Sequence, residues 1–285
     1  MNRLSEFFVG KRPHQMYVQR LDPAPGAPAR PFPIIMIHGG MHTGVCWTTI
    51  PGGSAGWAPF FADQGWTVFL VDWPGVGRSG FASDFLTMGP APIVDALMAL
   101  LEKVGPSILI GHSIGAALSF KVVDIVPDAV RAIVSLTSAP ISNVPFPIPF
   151  KPLTVPFRLT EEDVGRFFLS APRFPANATE EYLASHVPLS PSIENELGSR
   201  GGTGFLIERP EVIRKLPVLF LSSDVDQLVT PAISDSMADF LGVRNTMVAR
   251  DWLLEGFGHM LIVERGTLDI AARVGDWIVS DASLR

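Results

Sequence analysis

The chain has 285 residues, which suits one layered α/β unit with an insertion, or about two smaller domains at most. Hydrophobic residues make up 47% and charged residues only 18%, so a large core is available and a disordered chain is excluded. A net charge of −6 argues against a nucleic-acid surface, and the single cysteine, Cys46, excludes an internal disulfide or an all-cysteine metal cage.

In chain order, residues 1–20 mix Arg, Glu and Lys among short apolar runs and lack the apolar centre of a signal peptide, so a cytoplasmic protein is expected. Residues 33–37, 67–71, 107–110, 132–136 and 217–221 are apolar runs of strand length without polar alternation. Both their faces should be buried, as in a parallel sheet covered by helices. Helical segments are expected at 93–104, 114–126, 231–241 and 268–279, and a further strand-like run at 245–249. Pro90 and Pro92 sit near the start of the first helix, where a missing N–H is harmless. Strand and helix in alternation imply right-handed crossovers and an open, doubly wound sheet.

Residues 140–191 break this rhythm. They hold ten of the 26 prolines, about twice an even share, together with Phe146, Phe150, Phe157, Phe167, Phe168 and Phe174. The uncharged run 132–150 contains Pro140, Pro145, Pro147 and Pro149, so it is no membrane helix. Sites in open α/β folds lie at the carboxyl ends of strands, so an excursion here reads as a lid. Short helices at 161–169 and 179–185 are expected within it. The expected division is a core of residues 1–139 and 206–285 with a cap of residues 140–205.

Gly111-His112-Ser113-Ile114-Gly115 has the G-x-S-x-G pattern and falls between an expected strand and an expected helix. So sharp a turn admits only small residues two before and two after the serine. Ala116 and Ala117 let the helix lie close to the sheet. The serine is then presented at the positive end of a helix. Serine needs a base, and His259, on the loop Phe257-Gly258-His259-Met260, can reach it from near the end of the chain. His112, beside the serine on a tight turn, faces elsewhere. The base needs an orienting carboxylate, and Asp224 and Asp226 both follow the strand at 217–221. Asp226 is the first choice and Asp224 the reserve. Ile37-His38-Gly39-Gly40-Met41 follows the first strong strand, and its N–H groups, with that of Ile114, could hold an oxyanion; Gly40 is preferred and Met41 next. His38 and His42 are four apart, but on a loop and without an accompanying Glu they do not make a metal site.

Together these residues resemble the α/β-hydrolase superfamily. The landmarks are His38-Gly39, Asp72-Trp73-Pro74-Gly75-Val76-Gly77-Arg78-Ser79, the Gly111–Gly115 elbow, Asp224 or Asp226, and Gly258-His259. The resemblance implies a three-layer fold, a mostly parallel sheet of about eight strands and a cap after the sixth. A narrower likeness is to bacterial carboxylesterases with a long loop after the H-G, here His42-Thr43-Gly44 followed by Trp47, Pro51, Gly52 and Trp57. Some of those take their acid as a glutamate after the sixth strand. This chain has Ser135-Leu136-Thr137-Ser138 there, which leaves the acid to Asp224 or Asp226.

The expected function is a serine hydrolase acting on a small, mainly hydrophobic carboxylic ester or lactone through an acyl-enzyme. The same triad would suit a carbon–carbon bond hydrolase or a cofactor-free peroxidase-type enzyme, and the fold would also suit a non-catalytic ligand receptor. No metal, organic cofactor, nucleic-acid partner or membrane partner is implied, and the oligomeric state is left open.

Overall fold

The computed structural model describes residues 4–146, 152–198 and 202–281. Its centre is an eight-stranded sheet: β1 Leu4–Val9, β2 Met16–Leu21, β3 Ile34–Ile37, β4 Val68–Asp72, β5 Ser107–His112, β6 Val130–Leu136, β7 Val218–Ser222 and β8 Asn245–Met247. Their spatial order is β1-β2-β4-β3-β5-β6-β7-β8. β2 runs antiparallel to both its neighbours, and the remaining pairings are parallel. Every residue of β3, β4 and β5 is buried, as their uninterrupted apolar runs require. The expected three-layer α/β fold is therefore observed.

Helices α1 Trp57–Asp63, α2 Ala91–Val104, α3 Ile114–Ile125, α8 Pro231–Leu241 and α10 Thr267–Ser280 accompany the sheet. In α2 the buried residues Ile93, Val94, Leu97, Leu100 and Leu101 recur at helical spacing. Its end is set by Gly105, whose φ of +86° few other residues tolerate and whose N–H returns to the Leu101 carbonyl at 2.8 Å. α3 is buried almost all round, so it packs as a central element rather than a surface one. Among the described residues, no helix is long and apolar enough to cross a membrane.

Three parts of the chain depart from expectation. The first two strands were not foreseen, because β1 is a half-exposed edge strand whose polar residues hide the pattern. α1 is only seven residues long and carries a proline, so it offers little periodicity. The run 245–249 is strand only to Met247; Val248 opens a short helix, α9 Val248–Trp252. The helix bends back on the strand end, and the Asp251 carboxylate accepts the Met247 N–H at 2.8 Å across the junction.

Between β6 and β7 the chain leaves the sheet, and among the described residues it makes four short α-helices: α4 Glu161–Phe167, α5 Thr179–Ala184, α6 Pro191–Asn195 and α7 Pro210–Ile213. Thr160 caps α4 by accepting the Asp163 N–H. Phe157 and Leu189 form an antiparallel bridge with N–H···O distances of 2.8 and 2.9 Å. Pro147, Pro149 and Phe150 of the proline-rich segment lie outside the described residues. The return to the sheet is tied down by buried Asp124, which accepts the Arg209 N–H at 2.7 Å and the Lys121 ammonium at 3.0 Å.

Candidate active site

β5 ends at His112 and α3 begins at Ile114, so the whole reversal falls on Ser113, at φ +53° and ψ −120°. This strained conformation for a side-chain-bearing residue is held by neighbours on both sides. A Cβ on Gly111 would sit 2.6 Å from Ala116 Cα, and one on Gly115 would run into the backbone carbonyls of Ile37 and His38. The two glycines are thus steric requirements of the turn, and Ser113 is left 7% exposed at the head of α3.

Ser113 Oγ lies 3.0 Å from His259 Nε2, and His259 Nδ1 lies 2.8 Å from Asp226 Oδ2. These residues are brought together from loops after β5, β7 and β8, all at the same edge of the sheet. Asp226 is itself fixed, with Oδ1 accepting the N–H groups of Leu228 at 2.8 Å and Val229 at 2.9 Å. These two donors hold the carboxylate in one orientation toward His259. Asp224 is exposed on the same turn and is not brought to the histidine.

His259 is gripped by its backbone as well. Its carbonyl accepts from His112 Nε2–H and from the Thr137 hydroxyl, both at 2.9 Å. Burial foremost, with His259 adjacent, pushes His112 down to about 3, so its ring stays neutral. The Phe168 ring is stacked on the His259 imidazole at 5.6 Å and 11°. His112 was read from sequence only as facing elsewhere; its grip on His259, 147 residues away, has no local signature. Thr137 and Phe168 were likewise not singled out as neighbours of the histidine. Thr137 does carry a local oddity, a φ of +42°, which sequence does not reveal.

The loop after β3 lies against the serine turn. A Cβ on Gly39 would sit 2.8 Å from His112 Nδ1, and one on Gly40 would sit 2.9 Å from Ile114 Cδ1. Gly40, Met41, Ser113 and Ile114 border one apolar cavity, shared with Phe157 and Leu189 of the insertion. Among the described residues, Glu194 is the one carboxylate in its wall. Met41 has φ +62°, and its carbonyl accepts the Val187 N–H at 2.9 Å. Further along, Asp72 accepts the Gly44 N–H at 2.8 Å while paired to the Arg78 guanidinium at 2.8 and 2.9 Å. The Asp72–Ser79 turn thus braces the far end of the same loop. Both ring nitrogens of His38 and of His42 are engaged by protein groups, leaving no lone pair for a metal.

A family model described as the alpha/beta hydrolase family matches residues 34–273. A probable secreted lipase, phiG, of a fungal species is 24% identical over 346 residues, covering 96% of this chain and 89% of that one. Among solved structures, a thermophilic esterase from Thermogutta terrifontis superposes with a TM-score of 0.67 at 16% identity, covering 99% of this chain and 100% of that one. Carboxylesterase CesB from Bacillus subtilis gives 0.60 at 16% identity, covering 98% and 93% respectively.

Proposed function

The chain belongs to the alpha/beta hydrolase family, and we propose that it is a serine hydrolase that cleaves a carboxylic ester through an acyl-enzyme. One observation carries the reading: His259 bridges Ser113 at 3.0 Å and Asp226 at 2.8 Å. His259 Nε2 takes the Ser113 proton as Oγ attacks the ester carbonyl, and Asp226 holds the tautomer that leaves Nε2 free to do so. The negative oxygen of the tetrahedral intermediate is received by backbone N–H groups of Gly40, Met41 and Ile114. His259 next protonates the leaving alcohol, and water activated by the same ring releases the acid. The esterase and lipase names of the relatives agree with this chemistry.

Residues 140–205 act as a cap over the site in this reading. Phe157, Phe168 and Leu189 come from this segment and present hydrocarbon at the cavity, which favours a small, mainly hydrophobic ester or lactone. Residence in the cytoplasm belongs to the same reading; the relative named as a secreted lipase sets the opposite expectation, and fractionation of the native cells decides between them.

A fluorophosphonate probe tests the reaction class. Labelling is expected at Ser113 and is lost in His259→Ala, with turnover of p-nitrophenyl esters lost alongside. An unlabelled wild-type protein would make this a binding protein on a hydrolase fold instead.

A further inference from the structure

Residues 38–42 put a histidine at each end of the loop that carries two of the candidate oxyanion donors. His38 Nδ1 lies 2.7 Å from the Gly39 carbonyl, and His42 Nδ1 lies 2.7 Å from the Gly40 carbonyl. A carbonyl only accepts, so each Nδ1 carries the proton and each Nε2 is an acceptor. Both acceptors have donors: the Trp73 N–H at 3.4 Å for His38 and the Tyr182 hydroxyl at 2.9 Å for His42. Burial pushes His38 down to about 4 and His42 well below the ordinary imidazole range, with His186 and His112 adding to the effect at His42. Both rings therefore stay neutral, and each keeps one tautomer.

A trans peptide is planar, with its C=O and N–H pointing opposite ways. A grip on the Gly39 carbonyl therefore aims the Gly40 N–H, and a grip on the Gly40 carbonyl aims the Met41 N–H. The loop needs such grips. A Cβ on Gly39 would meet the anchored His112 ring at 2.8 Å, one on Gly40 would press on the Ile114 side chain at 2.9 Å, and two glycines in succession leave the intervening peptides free to turn. A misaimed donor gives up much of its value, because an oxyanion is stabilised only by dipoles already pointing at it.

We propose that His42 is a positioning residue of the oxyanion site: its Nδ1–H locks the Gly40–Met41 peptide and so aims the Met41 N–H, while Tyr182 of the insertion locks its tautomer. The proposal rests on the esterase reading above and extends it to the loop. The cap segment then has a part in the chemical step, since Tyr182 reaches His42 across 140 residues of sequence.

The test separates the two ideas. Fluorophosphonate labelling and ester turnover by the wild type examine the esterase reading alone. The loop is examined by two substitutions of similar polarity. The amide nitrogen of Asn can stand near Nδ1, whereas that of Gln stands near Nε2 and leaves the Gly40 carbonyl without its donor. His42→Gln should lower kcat about tenfold or more with KM within about twofold, and should weaken a trifluoromethyl ketone, whose adduct carries the oxyanion, in the same proportion. His42→Asn should keep kcat within about threefold of wild type. Tyr182→Phe, which retains the ring beside Phe174 at 5.1 Å, gives a reading that does not depend on either substitution folding well: kcat falls by about threefold at constant KM. Equal losses in the Gln and Asn variants, an unchanged kcat in His42→Gln, or an unchanged kcat in Tyr182→Phe would each overturn the proposal.

Discussion

Asp226 and Asp224 are two residues apart on one turn, yet their surroundings differ completely. Asp226 is 4% exposed and receives the Leu228 and Val229 N–H groups as well as His259 Nδ1, whereas Asp224 faces solvent. Asp226→Asn preserves the shape but donates where it must accept, which turns the imidazole to the wrong tautomer. A drop in kcat of about 10⁴-fold is expected, with KM little changed. Asp224→Asn should stay within about twofold of wild type, as exposed substitutions usually do. Steady-state kinetics of the two variants on one ester settles the assignment, and the reverse ranking would reject it. At this scale the elbow was legible because its glycines answer to a steric demand that sequence displays. The hydrogen bonds from His112 and Thr137 to the His259 carbonyl were not legible, since they join residues 147 and 122 positions apart.

Among the elements, the central strands and the long helices were readable because burial writes an unbroken run or a 3.6-residue period into them. β1 was unreadable for the opposite reason, being a half-exposed edge strand, while β8 was read two residues too long because the chain turns into α9 at Val248. The excursion after β6 was visible through its prolines, but its contacts with the β3 loop were not, because four short helices carry too few turns for a pattern. Those contacts include Leu189, whose Cδ2 would lie 3.3 Å from a Cβ on Gly40. Leu189 thereby limits the space beside the candidate oxyanion loop. Leu189→Ala should raise kcat/KM for p-nitrophenyl hexanoate relative to acetate, by about fourfold for each additional methylene accommodated, given ~0.8 kcal/mol per buried CH₂. An unchanged ratio across the ester series would place the acyl chain elsewhere.

For the molecule as a whole, a carboxyl outside the proposed reaction shapes the dependence of stability on pH. Glu264 is fully buried, and its Oε2 accepts the Gly258 N–H at 2.8 Å. Burial foremost, with the charge of Asp226 adding, pushes it from 4.5 up to about 8 against the opposing pull of Gly258, Arg173 and Met260. An acid whose pKa is raised by folding stabilises the fold fully below its unfolded value and loses that contribution as pH rises through the folded one. The loss should therefore run from pH 4.5 to about 8. Glu264→Gln cannot ionise, so its melting temperature should fall less than that of wild type over this interval. Parallel curves for the two proteins would remove Glu264 from the account.

Val187 and Tyr182 hold Met41 and His42 through hydrogen bonds of 2.9 Å each. The segment that shapes the cavity is thus also fastened to the β3 loop. Wholesale exchange of residues 140–205 with the matching part of another enzyme, as a way to change which esters are accepted, would then slow turnover of every ester at once. A library that randomises the cavity wall while sparing Tyr182, Val187 and their backbone is the design most able to alter selectivity without that penalty.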